Sequence, residues 1–116
     1  MKLKVFEKPL FVEELTFRIN TNLIEKYLQL DYEIWIKGLE LLEGFAGSEI
    51  WISKSNPGEI TSIIYWTDYN YYKNIDKNWL YDRKRKMSEL MGEGNLEFIK
   101  AEHEVNKRYK LREYKE

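Results

Sequence analysis

Three titratable side chains lie within apolar patterns of this sequence, where they could transfer protons. Glu13 lies on the apolar face of a predicted strand, and Asp31 lies on the inner stripe of a predicted helix, one turn before Trp35. His103, the only histidine, lies on a predicted strand with apolar neighbours on the same face. Burial raises the pKa of a carboxyl group towards neutrality, and histidine exchanges protons near neutral pH. We therefore predict Glu13, Asp31 and His103 as candidate catalytic residues.

Each of these three residues also has a purely structural interpretation. Glu13 could be solvated near the start of its strand, or paired with a lysine or an arginine. Asp31 could hydrogen-bond an indole N–H or a group of the sheet, and His103 could be a hydrogen-bonded or solvated strand residue. The sequence leaves both interpretations open for all three.

Aromatic residues make up 16% of the chain and include four Trp and nine Tyr. A planar aromatic ligand stacks on such rings. We predict Trp35, Trp51, Trp66 and Tyr72 as ligand-binding residues, and Trp66, at the end of a strand, as the one that lines a pocket. The alternative for each ring is packing in the core or at a dimer interface.

The composition excludes several classes of function. The chain has 116 residues, 19 basic and 20 acidic side chains and no cysteine. This length predicts one domain, and the balanced charge argues against nucleic acid and membrane as partners. Without cysteine there is no thiolate chemistry or Cys-based metal site, and no phosphate loop or nucleophile motif is visible. We predict neither a metal nor a cofactor, and we interpret the basic run at 82–86 as a solvated helix face, with a phosphate or RNA contact as the alternative.

The location expected from the sequence is the cytoplasm. Residues 1–6 alternate lysine with apolar side chains and do not form a signal peptide. No apolar run approaches the length of a membrane span.

Hydrophobic periodicity predicts four strands and two helices in the order βαββαβ. The segment 56–59, Asn-Pro-Gly-Glu, is typical of a type II turn and joins the middle strands into a hairpin. We expect Asn22 and Glu25 to form a capping box, and Asp68 and Asp76 to cap two pieces of the second helix. The predicted strands cover 11–19, 45–54, 60–67 and 96–105, and the predicted helices cover 22–43 and 68–91.

This order of elements predicts an α+β, ferredoxin-like fold, a four-stranded antiparallel sheet with both helices on one face. Gly38, inside the first helix, is expected to allow close approach to the sheet. The middle strands are apolar on both faces, with Phe45 and Trp51 predicted to lie opposite Ile50, so the face without helices also needs a cover. We therefore expect a homodimer that packs two sheets into an α+β barrel.

The predicted domain covers residues 10–106. The terminal extensions, 1–9 and 107–116, also alternate in polarity. We expect the two extensions to pair with each other as added strands.

Five stretches, in this order, carry a recognisable pattern: VEELTF at 12–17, LDYEIW at 30–35, GFAGSEIWI at 44–52, IYWT at 64–67 and YKNI at 72–75. Together they resemble the dimeric α+β-barrel superfamily that includes the antibiotic biosynthesis monooxygenase (ABM) domains. Within it, the chain is most similar to a group of small bacterial proteins, well represented in cyanobacteria, that has no assigned activity.

The resemblance implies a ferredoxin-like homodimer and a range of activities. Superfamily members carry out cofactor-independent oxygenation to quinones, haem breakdown and dye peroxidation. Haem-degrading members use a histidine in the second helix, and residues 68–91 contain none, so the resemblance does not extend to that route. The leading hypothesis is a dimer that binds a flat apolar molecule, as a cofactor-independent monooxygenase-like enzyme. The alternative is a non-catalytic ligand-binding or protein-interaction domain of the same fold, and RNA binding is a weaker third class.

Overall fold

The computed structural model describes the backbone of residues 2–102 and 106–113 and the side chains of residues 10–102. Helices and strands alternate in the predicted order, with one further strand after the fourth. The strands are β1 (Lys2–Ile19), β2 (Phe45–Ile52), β3 (Glu59–Trp66), β4 (Leu96–Glu102) and β5 (Asn106–Glu113). The α-helices are α1 (Ile24–Leu30), α2 (Lys37–Leu39), α3 (Tyr69–Lys73) and α4 (Lys77–Met91).

The sheet has the strand order β2-β3-β1-β4, and every pair in it is antiparallel. This is the order that two right-handed βαβ crossovers give, so the predicted ferredoxin-like fold is confirmed. β5 pairs with the N-terminal half of β1, and β4 pairs with the C-terminal half.

β1 is longer than the predicted strand because it continues through Pro9 to Lys2. Its pairing with β5 shifts register between Val5 and Leu10. A proline donates no backbone hydrogen bond, and such an irregularity accommodates it within a strand.

The first helical segment is not the regular helix that the periodicity predicts. It starts as a 3₁₀ turn at Thr21, so Asn22 lies inside this turn and not at the helix start. The capping box predicted at Asn22 is therefore wrong. A π-helical turn (Asp31–Ile36) then separates α1 from α2. The segment ends at Leu39, four residues before the predicted end.

Gly38 allows a close approach, but to the other helix and not to the sheet as we expected. A Cβ built at Gly38 would lie 2.5 Å from Cζ2 of Trp79 on α4. The Trp79 ring meets the Trp35 ring edge to face, with centroids 6.0 Å apart. Gly38 therefore permits the indole contact that joins the first helical segment to α4.

The β2–β3 hairpin has the predicted type II turn. The N–H of Glu59 donates to the carbonyl of Asn56 at 3.0 Å, and Gly58 has φ of +90°. β2 contains a bulge between Phe45 and Gly47, which reverses the alternation of its side chains. Phe45 therefore packs with Trp66 on the helix-covered face, and the prediction that it shares a face with Trp51 is wrong.

The second helix has the two predicted pieces. The carboxylate of Asp68 accepts from the N–H of Asn70, and that of Asp76 accepts from the N–H of Asn78, both at 2.9 Å. Each cap satisfies a free N–H at a helix start, which fixes where α3 and α4 begin.

The apolar side chains of the face without helices are partly covered within one chain. Val12, Ile63 and Tyr65 form a cluster there, with 1–8% of each residue exposed. The assumption that these side chains need a second subunit for their burial is therefore wrong. Trp51, on the same face, remains 52% exposed.

Within the described residues, none of the helices is long and apolar enough to cross a membrane.

Candidate functional site

A cavity of about 460 Å³ lies between the helices and the sheet, within the size range of ligand sites. Apolar and aromatic side chains make up most of its wall. The sheet contributes Glu13, Leu15, Phe17, Ser62, Ile64, Trp66, Leu96, Phe98 and Ala101. The helices and the link between α3 and α4 contribute Tyr27, Asp31, Trp35, Leu39, Tyr72, Ile75, Leu80, Lys84, Met87 and Ser88.

The π-helical turn sets which side chains of the first helical segment reach the cavity. The side chains of this segment that line the cavity recur every four residues: Tyr27, Asp31, Trp35 and Leu39. In a regular α-helix such residues drift by about 40° per step and by about 120° over the set. The bond from the N–H of Lys37 to the carbonyl of Tyr32 spans one residue more than an α-helical bond. This extra residue turns the later side chains back by about 100°, so all four face the cavity.

Glu13 lies on the floor of the cavity, on β1, opposite Ile64 of β3 and one residue before the pairing with β4 begins. Burial raises the pKa of its carboxyl group to about 7, although the charge of Lys84 on α4 lowers it. A carboxyl group with this pKa is ionised in about half of the molecules at neutral pH, which is what a general base requires.

Asp31 lies on the roof of the cavity at the first position of the π-helical turn. The residue is 7% exposed, and burial raises the pKa of its carboxyl group to about 6. Among the described residues, its side chain has no hydrogen bond or ion pair. The neighbouring Tyr27 has its hydroxyl pKa raised by burial and by the charge of Asp31.

The two carboxyl groups lie at different ends of the cavity. Burial is the main cause of the raised pKa of both tyrosines. The charge of Glu13 raises the pKa of Tyr72 further, whereas the charge of Asp31 raises that of Tyr27. Tyr27 and Tyr72 belong to separate core clusters, and Trp35 packs against both clusters. The cavity therefore has a Glu13 end and an Asp31 end, each with its own tyrosine.

Trp66 closes the Glu13 end. The residue is 1% exposed, and its ring contacts those of Phe45 at 5.9 Å and Tyr72 at 6.5 Å. Its indole N–H is buried and finds no acceptor within the described part of the chain. A buried donor without an acceptor costs free energy.

Solved structures share this arrangement of strands and helices. A dimeric ferredoxin-like protein from an uncultured marine organism has TM-score 0.56 and 13% identity, over 94% of each chain. A Bacteroides thetaiotaomicron protein provisionally named an antibiotic biosynthesis monooxygenase has TM-score 0.54 and 21% identity, over 86% of this chain and 93% of that one. SnoaB, a cofactor-independent oxygenase from Streptomyces nogalater, has TM-score 0.51 and 12% identity, over 82% and 88%.

The chain has the ferredoxin-like fold of these structures. The fold that the resemblance in the sequence implied is thus confirmed. No protein-family model matches the sequence, and no curated protein matches it.

The ferredoxin-like fold brings together most of the site residues predicted from sequence. Glu13, Asp31, Trp35, Trp66 and Tyr72 all line the cavity. Their roles there remain predictions. His103, also a predicted catalytic residue, lies outside the described residues.

Trp51 does not line the cavity, so its prediction as a ligand-binding residue there is wrong. It lies opposite Thr61 on the face without helices, and its indole N–H donates to Glu49 at 3.1 Å. The bulge in β2 is the reason, because it separates the faces of Phe45 and Trp51.

Lys84 is the charged cavity residue that sequence reasoning missed. It belongs to the basic run at 82–86 and is exposed, as predicted for a solvated face, but it also lines the cavity. The apolar residues Leu80 and Met87 lie four residues before and three residues after it. Residues at these spacings share a face of a helix, and this was the available signal.

Arg85, the next residue, fits the predicted solvated face. Its guanidinium binds Asp82 at 2.9 Å and Glu89 at 2.8 Å along the exposed side of α4. Successive residues of an α-helix point about 100° apart, so Lys84 borders the cavity and Arg85 does not, although both residues are exposed.

Across the part of the chain that the structure describes, no group of three or more His, Cys, Asp or Glu side chains could hold a metal ion. The two cavity carboxyl groups lie at different ends, so they do not form a shared ligand set.

The buried carboxyl group of Asp31 should lower the stability of the fold at neutral pH. Its pKa is higher in the folded chain, about 6, than the ordinary 3.8, so the folded state binds the proton more tightly. Stability therefore falls as the pH rises from about 4 to about 6. We expect Asp31→Asn to raise the free energy of unfolding by about 1–2 kcal/mol above pH 6, with no gain below about pH 4. Urea unfolding at a series of pH values measures this difference.

Asp82→Asn is the matched control for this prediction. Hydrogen bonds from Arg83 and Arg85 lower the pKa of Asp82, so its loss should destabilise the fold at neutral pH. A stability gain from Asp31→Asn that is the same at all pH values would contradict the assigned cause.

Proposed function

We propose that the cavity binds a small, flat, largely apolar molecule and that Glu13 removes a proton from one of its carbon atoms. The resulting carbanion would react with O₂, which makes the protein a cofactor-independent oxygenase. The observation that carries this proposal is a carboxyl group of pKa about 7 inside an apolar cavity of about 460 Å³. The fold shared with SnoaB, itself a cofactor-independent oxygenase, supports the reaction class.

The proposed chemistry assigns roles to Glu13 and Lys84. Glu13 accepts the proton as the C–H bond breaks, and negative charge then spreads onto a ligand oxygen. The charge of Lys84 keeps part of the Glu13 population ionised, and thus basic, at neutral pH.

The overall reaction balances with O₂ as the only oxidant. The carbanion adds O₂ and takes up a proton to give a hydroperoxide. Loss of water from the hydroperoxide gives a carbonyl group, so a CH₂ group and O₂ become C=O and H₂O. A ligand suited to this reaction has a CH₂ group acidified by a ketone conjugated to it through aromatic rings.

Two measurements test the proposal. Native mass spectrometry of freshly purified protein should show a small molecule bound to the chain. An oxygen electrode should record uptake when anthrone, a flat ketone with an acidic CH₂ group, is added. Anthrone binding without oxygen uptake would make this a ligand-binding domain, and the absence of any binding would overturn the proposal.

We also propose that the chain forms a homodimer through the sheet face without helices. A neighbour of the same fold is called a dimeric ferredoxin-like protein, and Trp51 leaves 52% of its surface exposed on this face. Exposed aromatic residues are common at the centre of protein interfaces.

Trp51→Glu should therefore shift the protein from dimer to monomer, since it places a charge in the proposed interface. Light scattering at micromolar concentration measures the mass, which for one chain is 14.2 kDa. Tyr81→Glu is the control, because Tyr81 is 72% exposed on α4, away from the sheet. A wild-type protein that is already monomeric would contradict the proposed dimer.

A further inference from the structure

The Asp31 end of the cavity holds a carboxyl group that nothing in the described chain compensates. Asp31 is 7% exposed, lines the cavity, and has no hydrogen bond or ion pair among the described side chains. Glu13, at the other end, experiences the positive charge of Lys84. The two ends therefore differ in charge, and within the described residues only the Asp31 end lacks a cation.

A buried ionised carboxyl group costs free energy unless a cation or several donors accompany it. Asp31 nevertheless lines the cavity at the first position of the π-helical turn, a backbone irregularity that often occurs at functional sites. A ligand that carries a positive charge would supply the missing partner.

Aromatic rings surround the same end of the cavity. Phe17 and Tyr27 have ring centroids 6.2 Å apart, and both residues line the cavity with Trp35. The faces of aromatic rings attract cations, most strongly where water is excluded. A carboxylate beside several rings is thus suited to an organic ammonium group.

We propose that the cavity selects a flat aromatic molecule bearing a protonated amino group, and that Asp31 binds this group. The aromatic part of the ligand would then extend towards Trp66 and Glu13 at the other end. This inference rests on the proposed function only in that the same cavity binds a flat molecule. It does not require that the molecule react with O₂.

Three probes that share one ring system test the inference. They are 1-naphthylmethylamine, which is a cation at neutral pH, 1-naphthalenemethanol, which is neutral, and 1-naphthoate, which is an anion. Calorimetric titration at about pH 7.5, where amines of this type are protonated, gives each affinity. We expect the amine to bind about tenfold or more tightly than the alcohol, and the anion to bind most weakly.

Variants of the two carboxyl groups assign the preference to one end. Asp31→Asn should reduce the ratio of amine to alcohol affinity to about one, whereas Glu13→Gln should retain a ratio of about tenfold. Indole N–H signals in NMR spectra locate the ligand. Those of Trp35 and Trp66 should shift on binding, and that of Trp51 should not.

Each other outcome overturns the inference. Equal affinities of the wild-type protein for amine and alcohol would show that the cavity binds flat molecules without recognising a cation, and this comparison needs no variant. A preference for the amine that survives Asp31→Asn would assign the recognition elsewhere. If none of the three probes binds, the proposed flat-ligand cavity fails together with this inference.

Discussion

Glu13→Gln is expected to lower oxygen uptake with anthrone by about 10²-fold or more, the usual contribution of a general base. The amide has nearly the shape of the carboxyl group but cannot accept the proton from carbon. Oxygen uptake under saturating anthrone measures the loss. Anthrone binding by the variant, measured separately, would show that the cavity persists.

Glu14→Gln is the matched control because Glu14 is the next residue of the same strand. It pairs with Ile63, whose side chain belongs to the cluster on the face without helices, so Glu14 points away from the cavity. The rate should not change in this variant. An equal loss in both variants would contradict the assigned role of Glu13.

The same role predicts how the rate depends on pH. Only the ionised carboxyl group is a base, so uptake should rise with pH up to the pKa of Glu13, about 7, and level off above it. Lys84→Met removes the charge that lowers this pKa, so the rise should move to higher pH. If the pH dependence of oxygen uptake is the same in Lys84→Met as in the wild-type protein, another group is the base.

Gly58→Ala is expected to lower the free energy of unfolding by about 3–5 kcal/mol. Gly58 has φ of +90°, a conformation that side chains disfavour, and an added Cβ would collide with the backbone carbonyl oxygen of Ile19. The N–H of Ile19 donates to the carbonyl of Gly58 at 2.7 Å, so relief of the collision would break the contact between hairpin and β1. Urea unfolding followed by tryptophan fluorescence measures the change.

Gly94→Ala separates the collision from the backbone conformation. Gly94 also has a positive φ, +78°, but nothing lies within 4 Å of an added Cβ. The expected loss there is about 1–2 kcal/mol, from conformation alone. Equal losses at the two glycines would contradict the steric part of the explanation.

The sequence predicted those parts of the fold that depend on near neighbours in the chain. The type II turn at 56–59 and the caps at Asp68 and Asp76 need only residues within three positions of one another. The strand order then follows from the handedness of the connections. These features were confirmed because local chemistry and topology point to the same arrangement.

Features that depend on an inserted residue were not predicted. Strict alternation placed Phe45 with Trp51, and the bulge in β2 reversed that relation. Strict helical spacing likewise gave one regular first helix, whereas the π-helical turn shifts its later residues. Glu13 and Asp31 were recognisable as candidates because carboxyl groups are rare on apolar stripes, but their positions at opposite ends required the structure.

At the π-helical turn Asp31–Ile36, the number of residues per turn in the first helical segment determines which side chains line the cavity. The same number of residues in an uninterrupted α-helix would rotate Leu39 by about 100° relative to Asp31 and take it off the cavity wall. A chain shortened by one residue there could form regular α-helical hydrogen bonds and keep its later side chains on the cavity wall. Relatives that lack the extra residue should therefore keep the same wall, whereas relatives that keep the length but form a regular helix should differ in what they bind.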